Sequence, residues 1–115
     1  MNSKSPQLLP QSSAQDLKAR LDWGEPGFTI LDVRDRMTYN KSHIIGAMPM
    51  DMSNVAELAE ASLDRKRDIY VYGQSDQETA QAATKLRVGG FGNVVELLGG
   101  LEGWKEIGGA CEGTE

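Results

Sequence analysis

The chain has 115 residues, 39% of them hydrophobic and 25% charged, a composition that fits one globular domain and excludes a fibrous or strongly disordered polymer. A chain of this length buries about two-thirds of its unfolded surface, enough for a core without staples. Twelve Lys and Arg against 17 Asp and Glu leave a net charge of −5, which disfavours nucleic acid, and the lone Cys111 and lone His43 exclude an intramolecular disulfide and a Cys/His structural zinc site.

Residues 1–12 are rich in Ser, Gln and Pro and predict a flexible arm; their only apolar pair, Leu8-Leu9, is no signal sequence. Ser13 and Asp16 have capping-box spacing and open a helix with Ala14, Leu17 and Leu21 on one face, which Gly24, Pro26 and Gly27 end. Phe28-Thr29-Ile30-Leu31-Asp32-Val33 is β-branched and apolar, the pattern of a strand buried on both faces. Residues 35–41 predict a helical turn, and Ala47-Met48-Pro49-Met50 a short strand in which Pro49 weakens the pairing. Val55, Leu58, Ala59 and Leu63 recur at helical spacing over 54–63, and 64–68 form a charged turn.

Ile69-Tyr70-Val71-Tyr72 predicts a strand, and Ser75 to Val88 a helix with Ala80, Ala83, Leu86 and Arg87 on one stripe, stopped by Gly89-Gly90. Val94 to Leu98 is the last predicted strand; Gly99-Gly100 turns into a short helix carrying Leu101, Trp104 and Ile107. Trp23 and Trp104 are expected as core or near-surface anchors. Strands alternating with helices predict an α/β fold of three layers, a central, mainly parallel sheet with helices on both faces. The domain is expected over 13–108, with a flexible tail over 109–115. No apolar run approaches the roughly 20 residues of a membrane span, and the chain is expected to be a cytoplasmic monomer.

Ligands collect beyond the carboxyl ends of the strands in such a sheet, which points to Tyr72 and the turn Gly73-Gln74-Ser75-Asp76-Gln77-Glu78-Thr79. The Asp32-Val33-Arg34 run, then Tyr39, His43-Ile44 and Gly46-Ala47, with Gly99-Gly100-Leu101-Glu102-Gly103-Trp104 as a closing turn, resembles the rhodanese (sulfurtransferase) domain from about Ser13 to Ile107. The resemblance implies structural roles for Asp32, Arg34, His43 and Gly46. It also implies a loop reading Cys-Arg-Ser-Gly-x-Arg-Ser after the strand at 69–72, whose cysteine carries sulfur as a persulfide.

Here the cysteine position is Gly73, the first Arg is Gln74, the Gly is Asp76 and the second Arg is Glu78; Ser75 and Thr79 keep the hydroxyl character. Gly73 has no nucleophile. Asp76 and Glu78 place negative charge where a sulfur oxyanion would sit; a like-charge pair near 4 Å costs about 1 kcal/mol in water and about 4 kcal/mol at an effective dielectric of 20. Ser75 and Glu78 also have capping-box spacing, so their side chains are expected to consume amide donors that an anion needs.

The expectation is therefore a rhodanese-like domain without sulfur transfer, acting as a binding or regulatory module for a protein or small-ligand partner. The alternative is a thiosulfate-type sulfurtransferase using Cys111, although the last helix carries Cys111 away from the Gly73 loop unless the tail folds back. A phosphatase or arsenate-reductase relative needs the same missing cysteine. No phosphate fingerprint is present, so no cofactor is expected, and two carboxylates at a helix start are too few for a metal.

Overall fold

In the computed structural model, which describes residues 10–24 and 27–114, the strand Phe28–Asp32 (β2) is the inner element its continuous apolar run implies. It pairs in parallel with Asp68–Tyr72 (β5) in the register Ile30 to Tyr70 and Asp32 to Tyr72. Val94–Leu97 (β6) lies on the far side of β5, Gln11–Ser12 (β1) beyond it, and Met48–Pro49 (β4) on the other edge beside β2. All these pairings are parallel. Pro49 has no amide to donate and accordingly sits on an edge strand.

The two sides of the strands face different helices. Leu31, Ile69, Val71 and Val94 pack with Val55 and Ala59 of α3 (Val55–Ser62) and with Ala82, Ala83 and Leu86 of α4 (Asp76–Val88). Ile30, Tyr70, Tyr72, Val95 and Leu97 pack with Ala14 and Leu17 of α1 (Ala14–Asp22) and with Leu101 and Trp104 of α5 (Gly100–Glu106). Alternate residues of one strand thus serve two apolar layers, the three-layer arrangement expected from the alternation of elements. Each fully buried aliphatic side chain contributes about 1.5–3 kcal/mol of transfer free energy. A short helix, α2 (Arg36–Lys41), is capped by Asp35, whose side chain accepts from the Thr38 amide at 2.9 Å.

Several expectations are corrected. The buried α4 stripe is Thr79, Ala82, Ala83 and Leu86, while Arg87, itself exposed, reaches β6 through its guanidinium, pairing with Glu96 at 3.3 Å and donating to Val94 O at 3.1 Å. Ala80, Ala82 and Ala83 are alike in size and polarity, so their pattern does not fix the buried face. Trp104 is 1% exposed, whereas Trp23 is 86% exposed, because it lies two residues past Leu21 and off the Ala14–Leu17 face. Leu58 is exposed rather than core.

Part of the expected arm is a strand: β1 is tied by Glu96 N–H to Pro10 O at 2.8 Å and Leu98 N–H to Ser12 O at 2.9 Å. The arm up to residue 9, and Pro26 as a helix stop, fall outside the described residues. The expected flexible tail instead returns as a strand, Cys111–Glu112 (β7), antiparallel to His43–Ile44 (β3). Gly108, at φ 77°, makes the turn; the Trp104 indole donates to Ala110 O at 2.8 Å, and Thr114 N–H donates to Asn40 O at 3.0 Å. Among the described residues no helix is long and apolar enough to cross a membrane.

A β-carbon on Gly109 would overlap the Trp104 ring. Gly109→Ala is therefore expected to unseat β7 or displace the indole and to destabilise the domain by about 1–3 kcal/mol, read as a lower urea midpoint.

Candidate functional site

The site is framed at the carboxyl ends of β2 and β5. Asp32, fully buried, accepts from the Arg34 backbone at 3.0 Å and from the Arg34 side chain at 2.7 Å through Nη2. The same Nη2 also donates to Ser42 O at 2.7 Å. Burial works against the Arg34 charge, but the hydrogen bonds and charge of Asp32 outweigh it and raise its pKa above the ordinary value. The Tyr72 hydroxyl accepts from Ile44 N–H at 3.1 Å, and burial together with the Asp32 carboxylate pushes its pKa far above the usual phenol range, so it stays neutral. Val33 N–H to Tyr72 O at 3.0 Å carries the pairing of β2 and β5 one residue further, to the point where Gly73 begins.

From Gly73 the chain turns into α4 and uses its own side chains to satisfy its own amides. Ser75, the N-cap, accepts from Glu78 N–H at 3.1 Å. Glu78 Oε1 reaches back to accept from Gln74 N–H at 2.5 Å. This is the predicted reciprocal cap moved by one amide, since the usual acceptor reach ends at the N-cap residue itself. Thr79, 1% exposed, accepts from Gly73 N–H at 2.8 Å and donates to Ser75 O at 3.0 Å. Asp76 Oδ1 accepts from Gly99 N–H at 2.9 Å and so pins the turn to the start of α5. Gln77 is exposed on the first turn of α4.

Glu78 also fills space. A β-carbon built on Gly73 would stand 2.6 Å from Glu78 Oε1 and 3.0 Å from its Cγ. The Gly73 backbone is not in the left-handed region, so conformation does not demand glycine there. What opposes a side chain at 73 is the carboxylate lying over it. In front of the turn is a cavity of about 250 Å³, walled by Arg34, Gly73, Asp76, Gly100 and Glu102 among others. Arg34 is its one basic wall residue, and Asp32 and Ser42 engage the Nε and Nη2 of that side chain.

The remaining candidates lie elsewhere. His43 is buried; its Nδ1 is 2.7 Å from Tyr39 O, its ring stacks on Tyr39 at 3.7 Å, and its Nε2 is 3.4 Å from Glu112 Oε1. Gly46, at φ 80°, makes the turn toward β4, and its amide donates to Glu112 at 3.2 Å. The tail does fold back, but onto β3: Cys111 is exposed, pairs with Ile44, and its thiol lies 3.7 Å from Gly109 O. Asp76 and Glu78 do not converge with further ligands; among the described residues no group of three or more His, Cys, Asp or Glu is placed to hold a metal.

Sequence reasoning found the Ser75–Glu78 cap. It missed the Asp76–Gly99 link, which joins residues 23 apart in sequence, and the Thr79–Gly73 bond, for which a hydroxyl one turn past the strand end was the available signal.

The profile of the rhodanese-like domain matches residues 13–107. The thiosulfate sulfurtransferase GlpE of Pseudomonas fluorescens is 33% identical over 97 residues, covering 84% of this chain and 83% of that protein. Among longer relatives, YrkF of Bacillus subtilis is 28% identical over 90% of this chain, which spans 55% of it. The 41 kDa centrosomal protein B of Xenopus laevis is 35% identical over 86% of this chain, which spans 28% of it. The solution structure of a rhodanese-like domain from Anabaena superposes with a TM-score of 0.89 at 57% identity, covering 93% of this chain and 81% of that one.

The turn generates a coupled prediction. Ser75→Ala should cost about 1 kcal/mol of stability through the lost cap. Gly73→Ala should destabilise the wild-type chain but cost measurably less in a Glu78→Ala background. A double-mutant cycle by urea unfolding should give a coupling of at least about 0.5 kcal/mol, and strict additivity would count against the packing of Glu78 on Gly73.

Proposed function

This chain is a member of the rhodanese-like domain family, and on that footing we propose that it is a catalytically silent member serving as a binding or regulatory module. One observation carries the reading: the Glu78 carboxylate lies over Gly73, in the space that a side chain at 73 would take, hydrogen-bonded to the Gln74 amide. Sulfur transfer in this family uses a cysteine thiolate at that position, which becomes an anionic persulfide stabilised by the loop amides and by basic side chains. Here the thiol is missing, a carboxylate stands in its place, and Ser75, Asp76, Glu78 and Thr79 take up amides around the turn. A thiosulfate-like donor approaching the cavity meets Asp76 and Glu102 on its walls. On this reading the chain works as a cytoplasmic monomer and acts by docking a protein or a small ligand rather than by turnover.

The thiosulfate–cyanide assay tests this directly. The wild-type chain should form no thiocyanate above buffer, and Cys111→Ser should change nothing; turnover abolished by Cys111→Ser would instead assign the chemistry to the tail thiol. Gly73→Cys alone should restore little, because Glu78 and Asp76 remain. Adding Gln74→Arg, Asp76→Gly and Glu78→Arg should raise thiocyanate formation over the single variant by at least about tenfold, equivalent to about 1.4 kcal/mol of barrier. Full activity in the single variant would refute the electrostatic part of the reading.

A further inference from the structure

Behind Arg34, on the β4 side, lies a second cavity of about 330 Å³, lined by Arg34, Arg36, Pro49, Met50, Asp51 and Leu58. We propose that it binds a small organic acid, with the carboxylate on the free nitrogens of Arg34 and Arg36 and the apolar body against Met50 and Leu58. The proposal is independent of whether the Gly73 turn transfers sulfur; the two cavities share only the Arg34 wall.

The donors are countable. Arg34 Nε and Nη2 are committed to Asp32 and Ser42, which leaves Nη1 with no hydrogen-bond partner among the described residues. Its side chain is only 6% exposed, yet Nη1 is not among the sealed unsatisfied atoms, so it retains access to solvent. A guanidinium held rigid on one side by a carboxylate, with one nitrogen open, is a preorganised donor. Arg36 donates through Nε to Asn40 Oδ1 at 3.3 Å and its guanidinium lies 5.7 Å from the Tyr39 ring centre, which leaves both its terminal nitrogens without hydrogen-bond partners among the described residues.

Asp51 is the one carboxylate on the wall; it stays ionised, and its Ser53 bonds and nearby Lys85 hold that charge in place. Its Oδ1 accepts from the backbone amide and the hydroxyl of Ser53, each at 2.9 Å, and Lys85 lies close enough to favour its ionised form. The other walls, Pro49, Met50 and Leu58, are apolar. Guanidinium donors together with methyl and methylene surface match a carboxylate on a short aliphatic chain. The volume sits at the small end of the roughly 300–1,000 Å³ range of ligand pockets, which suits a small acid. On an acidic chain, binding here would rest on the directed guanidinium donors rather than on overall charge.

The experiment is an amide and arginine side-chain NMR titration of the whole chain with butyrate, with butyramide as the uncharged isostere, and with acetyl-glycyl-leucine as a peptide-borne carboxylate. Butyrate should give saturable shifts centred on Arg36, Met50, Asp51 and Leu58 and on the Arg34 and Arg36 side-chain signals. Butyramide should give none. Arg36→Gln, at an exposed position, should leave the rest of the spectrum unchanged and weaken butyrate about tenfold, the loss expected for a charge-assisted contact. Non-saturating shifts, shifts centred on Gly73–Ser75, an equal response to butyramide, or an Arg36→Gln chain that binds as wild type would each overturn the proposal. Binding of acetyl-glycyl-leucine without butyrate would overturn its assignment to a free acid. None of these results bears on thiocyanate formation, so failure here and failure of the silent-member reading are separable.

Discussion

The Asp32–Arg34 pair is the constraint from which the carboxyl edge of the sheet is organised. A carboxylate with no solvent exposure is costly unless its lone pairs are met, and here the Arg34 backbone amide and two guanidinium nitrogens meet them. Removing one partner would strand the other charge, a loss of about 3–5 kcal/mol. The pair also ties down chain far from itself. Arg34 holds Ser42 O at the entrance to β3, and the Asp32 carbonyl accepts from Met50 N–H at 3.0 Å just past β4. Tyr72, kept neutral by burial beside that carboxylate, takes the Ile44 amide, so β3 is anchored to the sheet through a phenol that cannot ionise at ordinary pH. Both cavities owe a wall to the same guanidinium.

Against that rigid edge, the composition of the Gly73 turn becomes a problem of complementary volume and charge. Glycine at 73 leaves a void that a strand end facing a helix start would otherwise fill with a side chain, and Glu78, one turn along α4, fills it. The carboxylate finds the Gln74 amide and the positive end of a 13-residue helix, an environment that suits an anion. Gly73 and Glu78 are therefore one unit: restoring a side chain at 73 without moving Glu78 forces the carboxylate out of its hydrogen bond. The same logic explains Asp76, whose carboxylate satisfies the first amide of the α5 turn where Gly99, at φ 82°, leaves a donor exposed.

The sequence disclosed those parts of the fold governed by local rules. Continuous apolar runs placed β2 and β5, and the Ser13 and Ser75 caps placed the starts of α1 and α4. It failed where the decision was tertiary. Three alanines in α4 carry too little contrast to reveal which side meets the sheet, and Arg87 is placed by Glu96 and the Val94 carbonyl of β6, beyond its own helix. The tail looked unstructured because small and charged residues over 108–114 bury no apolar face of their own; β7 exists only because β3 offers a free edge. The cavity beside Arg36 was invisible for a like reason, since its walls come from α2, β4, α3 and the segments between them.

The returning tail also supports the proposal that Cys111 does not replace a thiol at 73. Cys111 is held in a ladder with Ile44, and its neighbours on either side are fixed: Ala110 O accepts from both the Ile45 amide and the Trp104 indole, and Glu112 accepts from the Gly46 amide beside His43. Carrying its sulfur to the Gly73 turn means opening these bonds, each worth about 0.5–1.5 kcal/mol net, and exposing the face of Trp104 that the tail covers. His43, the one imidazole, is engaged by Tyr39 O and stacked on the Tyr39 ring rather than directed at that thiol. Nucleophilic catalysis depends on a thiolate held in place at the reacting atom. In this chain the one thiol is held in β7, paired with Ile44, and is not among the residues lining the cavity beside Gly73.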